Sequence, residues 1–192
     1  MKNFLSFCAF FLFLPGLCGA ADCVTTLPSS SPIEAVGIYH SAAVKMSRTQ
    51  INYRYGIQLW HVGECYFGYL TVDAGNEGDP PYGTLSFRKL PADRKIQFAS
   101  KLNLGMRYAG PNQADIPSKY LFEFTGTLDK KEIDGTFTYT DKLSNNAPAT
   151  QKSRLKFEKN SAKDLYLSKK GTTFRDWQED AERTLKMSGP QW

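Results

Sequence analysis

The sequence predicts an all-β domain, a single antiparallel meander β-barrel of about eight or nine strands followed by one C-terminal α-helix. Short segments rich in Val, Ile, Leu, Phe, Tyr and Thr run from Val36 to Leu167, and Gly, Pro, Asn and Asp separate them. Apolar and polar residues alternate within many of these segments, as in antiparallel strands around one core. Several connections are also of hairpin length.

The predicted strands follow from this alternation. In 96–104, for example, Ile96, Phe98 and Ser100 alternate with Gln97 and Ala99, so that one face is apolar and the other polar. The same reasoning predicts strands at about 35–44, 53–62, 65–73, 82–90, 95–104, 119–128, 132–141, 152–159 and 164–168.

The lengths of the connections predict how the strands are arranged. A meander with one apolar face removes its free edges by closing into a barrel. The turns at 61–65, 91–95, 129–132 and 159–164 are short, whereas 74–82, 105–119 and 142–152 are long loops. If the strands alternate in direction, all three long loops lie at the same rim of the barrel.

The C-terminal part, 173–187, has the pattern of an amphipathic helix. Thr173 is followed three residues later by Asp176, which resembles a capping box. Apolar residues then recur at helical spacing: Phe174, Trp177, Ala181 and Leu185. We expect this face to pack on the outside or the end of the barrel; docking on a partner or a membrane surface is the alternative.

The first 21 residues have the order of a secretory signal peptide. Lys2 precedes an apolar stretch from Phe4 to Leu14, and small residues follow at Gly19 to Ala21. A retained membrane anchor and a lipoprotein are the alternatives. We therefore expect a single domain at 22–192 that is exported, either periplasmic or secreted.

Cysteine usage supports export. Cys8 and Cys18 would leave with the signal peptide, so that Cys23 and Cys65 remain. An even pair in an exported chain predicts one disulfide. Two free thiols, or a bridge between molecules, are the alternatives.

The charge pattern argues against several classes of partner. The formal net charge is +5, but Lys and Arg are spread along the chain. Because nucleic-acid binding needs a focused basic patch, we expect no nucleic-acid partner. No segment after the signal peptide is apolar enough to span a membrane, and we expect a monomer.

Sequence motifs for catalysis are scarce. The two histidines, His40 and His61, have no carboxylate at a metal-binding spacing. The chain contains no Gly-x-Ser-x-Gly elbow, no His-Glu-x-x-His motif and no phosphate loop. We therefore expect neither an enzyme nor a metal or cofactor site.

Aromatic residues supply the candidate binding site. Small barrels either fill their interior with side chains or hold one small ligand. In the second case, inward-facing side chains would line the cavity, and the candidates are Tyr39, Tyr55, His61, Phe98, Ser100, Phe122 and Tyr139. In the first case the rings are simply core.

Four glycines, Gly68, Gly83, Gly126 and Gly135, each precede an apolar residue by two positions. Residues two apart on a strand share a face, so these glycines are predicted to face inward. There they relieve crowding and allow the coiling that closes a small barrel. Whether the room they create holds side chains or a ligand is open at this level.

The segment "VGIYH", followed by antiparallel hairpins with Gly-x-apolar motifs, resembles the calycin barrels, the lipocalins and avidins. Tyr39 stands where tryptophan is usual in that group, and the helix follows the last strand. The resemblance implies an antiparallel barrel and, by analogy, ligand binding; it carries no binding residue over.

Two functional hypotheses follow. The first is an exported, non-enzymatic protein that binds a small apolar or amphipathic ligand in its barrel. The second is a protein-binding module of the inhibitor or immunity type that acts through the rim loops 74–82, 105–119 and 142–152. The state of the barrel interior discriminates between them.

Overall fold

The computed structural model describes residues 23–45, 52–73, 81–90, 92–104, 106–107, 111, 114, 116–165, 167, 169 and 171–187. The predicted signal peptide at 1–21, most of the loop 74–82 and part of the loop 105–119 lie outside the described residues.

Strands dominate the described part of the chain. A 3₁₀ turn, Cys23–Thr26, comes first. The strands are β1 (Glu34–Ser41), β2 (Val44–Lys45), β3 (Asn52–Val62), β4 (Cys65–Asp73), β5 (Tyr82–Arg88), β6 (Lys95–Leu102), β7 (Met106–Arg107), β8 (Ile116–Pro117), β9 (Tyr120–Leu128), β10 (Glu132–Asp141) and β11 (Ala149–Phe157). The helices are α1 (Ser161–Asp164) and α2 (Phe174–Met187).

Eight antiparallel strands form a nearly closed barrel in the order β5-β4-β3-β1-β11-β10-β9-β6. The ladder between β1 and β11, which includes the pair Tyr39 and Phe157, joins the first strand to the last. The predicted meander barrel and C-terminal helix are therefore confirmed. The chain segments after β4, β6 and β10 leave from one end, which we call the long-loop end; the opposite end is the short-turn end.

The barrel is interrupted between β5 and β6. These strands are consecutive in the chain, yet they are the two ends of the sheet and no ladder joins them among the described residues. The connecting residues bond outward: Lys89 N donates to Glu64 O (2.9 Å), and Leu128 N donates to Arg94 O (2.9 Å). Each side of the turn therefore extends the pairing with its outer neighbour.

Two parts of the predicted organisation are wrong. No strand is formed by the described residues of 164–168, and the predicted turn 159–164 contains α1. The reason is packing: Leu165 and Leu167 alternate like strand residues, but both are buried on the outside of the barrel beside α2. The predicted strand 35–44 divides into β1 and β2, and the loop 105–119 contains the β7–β8 pair.

Aromatic rings fill the middle of the barrel. Phe124 stacks on Phe98 with ring centroids 5.0 Å apart and contacts Phe137 at 4.9 Å. Phe137 in turn stacks on Tyr55 at 4.5 Å. All four rings are buried. Beside the inward-facing Gly126 and Gly135, the space is filled by the ring of Phe124.

A second apolar cluster lies outside the barrel. Helix α2 places Phe174, Trp177 and Ala181 against outward-facing residues of β3 and β4, including Phe67 and Tyr69. Strand β4 is consequently buried on both faces over most of its length. The helix therefore packs on the outer wall, as expected.

Two local interactions hold this outer layer in place. The predicted disulfide is present: Cys23 and Cys65 are bonded, with 5.7 Å between their Cα atoms, and tie the N-terminal segment to β4. The capping interaction is also present, since the Thr173 backbone N donates to Asp176 Oδ2 at 2.6 Å. Two backbone hydrogen bonds from the start of α2, one from Phe174 N to Ser31 O, join the helix to the N-terminal segment.

Candidate functional site

A groove of about 270 Å³ lies where β5 and β6 fail to pair, and we call it the slit. It is partly open to solvent. Its lining comes from the two strands, from β9, from α2 and from the N-terminal segment: Val24, Thr84, Leu85, Ser86, Ala99, Ser100, Lys101, Leu121 and Trp177. The interruption of the sheet and the position of the groove therefore coincide.

The inner wall of the slit is set by the barrel strands. Leu85 and Ser100 are inward-facing and buried, in the alternating patterns of β5 and β6. A Cβ atom on Gly83 would come within 2.4 Å of Ser100 Oγ and 2.5 Å of Lys101 O. The two strands thus touch at Gly83, and the Ser100 hydroxyl lies at the seam between them.

The outer wall comes from elements that are not part of the barrel. Trp177 is held by Phe67, with ring centroids 4.7 Å apart, and by Tyr69 at 6.0 Å. Val24 follows Cys23, whose sulfur lies 3.4 Å from Phe87 O on β5. The disulfide and the helix therefore place two apolar side chains over an opening in the sheet.

Two residues of the lining carry buried polar atoms that lack protein partners. Ser100 Oγ and Trp177 Nε1 are buried and have no hydrogen-bond partner among the described residues. A buried donor or acceptor left unpaired is costly, and native proteins rarely keep one without a reason. Of the described residues in the lining, Lys101 carries a charge and the others do not.

Three of the sequence-predicted ligand residues lie together near the long-loop end. The Phe122 ring lies between Tyr55, at 6.3 Å, and Tyr139, at 5.8 Å. The Tyr55 hydroxyl is buried and has no partner among the described residues. Burial, and then the neighbouring Tyr139, raises the pKa of Tyr55 above its usual value. This group combines rings with hydroxyls, but it is closely packed.

The remaining predicted residues are separated from this group. Tyr39 and His61 belong to the short-turn end: the Tyr39 hydroxyl donates to Asp129 O at 3.4 Å, and His61 stacks on Tyr66 at 5.1 Å. Phe98 lies in the stacked interior, and Ser100 alone among the seven lines the slit. The seven residues therefore do not form one site.

Sequence reasoning missed Trp177, Lys101 and Val24 as lining residues. The helical spacing marked Trp177 as part of an apolar face but could not say which strands this face covers. Lys101 follows Ser100 on β6 and faces outward, where the alternating pattern predicts a solvent-exposed side chain. One signal was available for Val24, because its neighbour Cys23 was predicted to be bonded to a strand.

The described residues hold no cluster of three or more His, Cys, Asp or Glu side chains arranged to bind a metal ion. Within the same part of the chain, no helix is long and apolar enough to cross a membrane. Comparisons of the chain with protein-family models, with curated proteins and with solved structures find no match. Functional assignment therefore rests on the geometry.

Proposed function

We propose that this chain is an exported, non-enzymatic protein that binds a small amphipathic molecule, and that the slit is its binding site. The observation that carries the proposal is the coincidence of an unpaired strand junction with a groove, two of whose lining residues have buried polar atoms without partners among the described residues, Ser100 Oγ and Trp177 Nε1. A ligand that pairs with these groups would offset their desolvation.

The composition of the slit matches such a ligand. Binding pockets are mainly apolar and contain a few polar groups that fix orientation. Here Leu85, Leu121 and Trp177 supply apolar surface, and Thr84 and Ser86 supply hydroxyls. The volume of about 270 Å³ is close to the lower end for small-molecule sites, about 300 Å³. The resemblance to calycin barrels supports ligand binding, although those proteins bind in the interior and this interior is occupied by rings.

A small molecule fits the slit better than an added peptide strand. Strand addition needs a continuous free edge. The turn after β5 joins the two strands at one end, and at the other end they touch, since a Cβ atom on Gly83 would lie 2.5 Å from Lys101 O. An added strand would therefore have to fit between two points at which the chain itself holds β5 and β6 together.

Export is supported by two observations. The disulfide between Cys23 and Cys65 suits an oxidising compartment. The sequence of residues 1–21 is typical of a signal peptide. Periplasmic or secreted localisation would be tested by fractionation and by the mass of the mature N-terminus; a protein that stays in the cytosol with residues 1–21 attached would contradict it.

Binding would be tested with N-phenyl-1-naphthylamine, a neutral apolar fluorophore. We expect its fluorescence to rise on addition of protein, and Ala99→Phe to abolish the rise by filling the slit. Gln97→Phe is the matched control, because Gln97 is also outward-facing and exposed on β6 but does not line the slit. No fluorescence rise with the wild type, or equal effects of the two variants, would overturn the proposal.

The ring-filled interior also favours a second candidate, a protein-binding module of the inhibitor or immunity type that acts through the long-loop end. Two rim loops are directly joined there, since Lys142 N donates to Lys119 O at 2.7 Å. Both residues are cationic, which suits an acidic partner surface. Replacing both with Glu should abolish capture of the partner if this candidate is correct, whereas Ala99→Phe should leave capture unchanged.

A further inference from the structure

We propose that the free edge of β11, residues 149–153, binds an extended acidic segment of a partner protein by strand addition. This surface lies at the long-loop end and does not depend on the slit. The ladder between β11 and β10 continues to Ala149, whereas the ladder between β11 and β1 ends at Leu155. Residues 149–153 therefore have a partner strand on one side only among the described residues.

The free edge begins where β1 ends. Continuing the register of the β1–β11 ladder would place Ala42 and Ala43 opposite Arg154 and Ser153, but both alanines are exposed. The next strand along the chain, β2, pairs with β3. In the part of the chain that the structure describes, no ladder joins β2 to β11. The sheet therefore divides at this point.

The backbone groups of two residues point toward the free edge. Phe157 N donates to the β10 side, at Lys131 O (2.7 Å), whereas Glu158 N donates to the β1 side (2.8 Å). Because the direction of the backbone groups alternates along a strand, the odd-numbered residues of β11 bond to β10 and the even-numbered residues face the other side. Thr150 and Lys152 therefore direct their N–H and C=O groups to the edge.

One acceptor of the edge is occupied by a side chain of the strand itself. Gln151 Nε2 donates to Lys152 O at 2.9 Å. In a continuous ladder the neighbouring strand supplies that donor; here a side-chain amide takes its place. An edge strand offers its N–H and C=O groups to another chain, and strand addition uses these groups. An incoming strand would replace the amide of Gln151 at this carbonyl.

The side chains beside the edge favour an acidic partner. Lys152 is exposed, and its ammonium group forms no ion pair with the described residues. The residue opposite Lys152 on β10 is the uncharged Thr136. The carboxylate diagonally across this ladder, Asp134, lies opposite Arg154 and is paired with it at 3.2 Å. A carboxylate opposite Lys152 on an added strand would form a favourable cross-strand pair.

A second copy of the chain is a poorer occupant of the edge. Pairing two such edges would bring Lys152 of the two copies close together, and like charges across a strand pair are destabilising. Lys119 and Lys142, which are joined at the same end of the barrel, add positive charge that a partner would meet. An extended segment with acidic residues at alternate positions suits both features, because alternate residues share a face.

Amide hydrogen exchange of the protein alone tests the edge itself. We expect the N–H groups of Thr150 and Lys152 to exchange rapidly, and those of Gln151 and Ser153, which face β10, to be protected. Protection of all four amides would mean that the edge is already paired within the chain. Rapid exchange of all four would mean that β11 offers no ordered edge. Either result would overturn the inference.

The peptide acetyl-Thr-Val-Glu-Val-Thr-amide tests the partner, with chemical-shift changes as the measurement. We expect changes at residues 149–153, and tighter binding than for the same peptide with Lys in place of Glu. Methylating the Glu nitrogen, which faces β11 in a hydrogen-bonded pair with Lys152, should abolish binding; methylating the Val nitrogen beside it, which faces away, should not. No binding of the Glu peptide, or equal binding of the Glu and Lys peptides, would contradict the proposal.

Thr150→Pro should abolish binding of the Glu peptide and leave the fold intact. The substitution removes an N–H from the edge and none from the ladder with β10, and proline is tolerated on edge strands. Thr150→Ala is the matched control, because it keeps the N–H and should bind as the wild type does. Unchanged binding in a folded Thr150→Pro protein would exclude strand addition at this edge.

Charge reversal at the edge provides an independent test. Lys152→Glu should weaken binding of the Glu peptide by about two- to fivefold and favour the Lys peptide. Lys156→Glu is the matched control, since Lys156 is exposed on the same face of β11 but lies opposite His40 in the paired part. Equal effects of the two reversals would mean that the peptide responds to overall charge. Ala99→Phe should not alter peptide binding; if it removes this binding, the peptide occupies the slit and the inference is wrong.

Discussion

The ring of Phe124 occupies the space that a side chain on Gly135 would need, because a Cβ atom there would lie 2.6 Å from Phe124 Cζ. The same atom of Phe124 would lie 2.6 Å from a Cβ on Gly126, the residue opposite Gly135 in the ladder. Gly126 and Gly135 thus allow a ring to lie against two adjacent strands. They contribute to packing of the barrel interior.

Gly135→Ala should therefore destabilise the fold. Its Cβ would also meet Thr125 O at 2.4 Å, so the strands would have to separate. We expect a loss of about 1–3 kcal/mol in the free energy of unfolding, the usual cost of overpacking a core. Urea unfolding would measure it. The outward-facing control Thr136→Ala should cost less than about 1 kcal/mol, and a Gly135→Ala protein as stable as the wild type would contradict the packing argument.

Removing the disulfide should weaken both stability and ligand binding. The bond spans 42 residues, and closing a loop of that size is worth about 4 kcal/mol in the chain-entropy account. We expect Cys23→Ala/Cys65→Ala to unfold at lower urea concentration. Because Val24 is held next to the bond, its contribution to the slit should also be lost, and the affinity for the naphthylamine probe should fall.

Dithiothreitol provides the control for this experiment. It should reproduce the loss of stability in the wild type and have no further effect on the double variant. If reduction leaves urea unfolding and probe binding unchanged, the N-terminal segment is held by its other contacts, and the disulfide has no part in shaping the slit.

Stability should fall steeply at alkaline pH. Burial raises the pKa of Tyr39, Tyr55 and Tyr69 above the ordinary value of 10.0, and for Tyr69 the hydrogen bond to Asp180 adds to the effect. A folded-state pKa above the unfolded value gives stability that is complete below pH 10 and is lost as pH rises toward the folded pKa. Each group can contribute up to about 1.4 kcal/mol per pH unit to this loss.

Two measurements check this dependence on pH. In a spectrophotometric titration of the native protein, at least three of the ten tyrosines, Tyr39, Tyr55 and Tyr69, should resist ionisation until the protein unfolds. In urea unfolding above pH 10, the free energy of unfolding of Tyr39→Phe should fall less steeply with pH than that of the wild type, because one tyrosine fewer contributes to the loss. Ionisation of all ten tyrosines near pH 10 with the fold intact would contradict the expectation.

The parts of the fold that were predictable from sequence are those set by local pattern. Alternation located all eight barrel strands, and the spacing from Thr173 to Asp176 located the start of α2. The strand predicted at 164–168 was wrong because Leu165 and Leu167 have the spacing of strand residues but pack beside α2. Periodicity reports which face is apolar and does not report what covers it.

The slit was not predictable for a related reason. The short turn at 91–95 indicates a hairpin, in which the two flanking strands normally form a hydrogen-bonded ladder. Here Lys89 and Arg94 bond to the outer neighbours Glu64 and Leu128, and no ladder joins β5 to β6 among the described residues. The outcome depends on interactions between residues distant in sequence, which no local motif records. The position of Trp177 in the slit lining likewise depends on contacts between residues distant in sequence, since Trp177 packs on Phe67 and Tyr69.

Substituting Ser100 should separate stability from binding. Ser100 Oγ is buried without a partner among the described residues, so Ser100→Ala removes an unpaired polar group from the barrel. We expect the free energy of unfolding to stay the same or rise by about 1 kcal/mol. If the hydroxyl bonds the ligand, the affinity for the naphthylamine probe should fall in the same variant.

Ser153 supplies the matched control for this prediction. Its hydroxyl is also inward-facing, buried and without a partner among the described residues, but it belongs to β11 and lies outside the slit lining. Ser153→Ala should change stability in the same direction as Ser100→Ala and leave ligand affinity unchanged. If both substitutions weaken binding equally, ligand affinity responds to the barrel as a whole. If neither substitution weakens binding, the Ser100 hydroxyl plays no part in ligand recognition, and its lack of a hydrogen-bond partner needs another explanation.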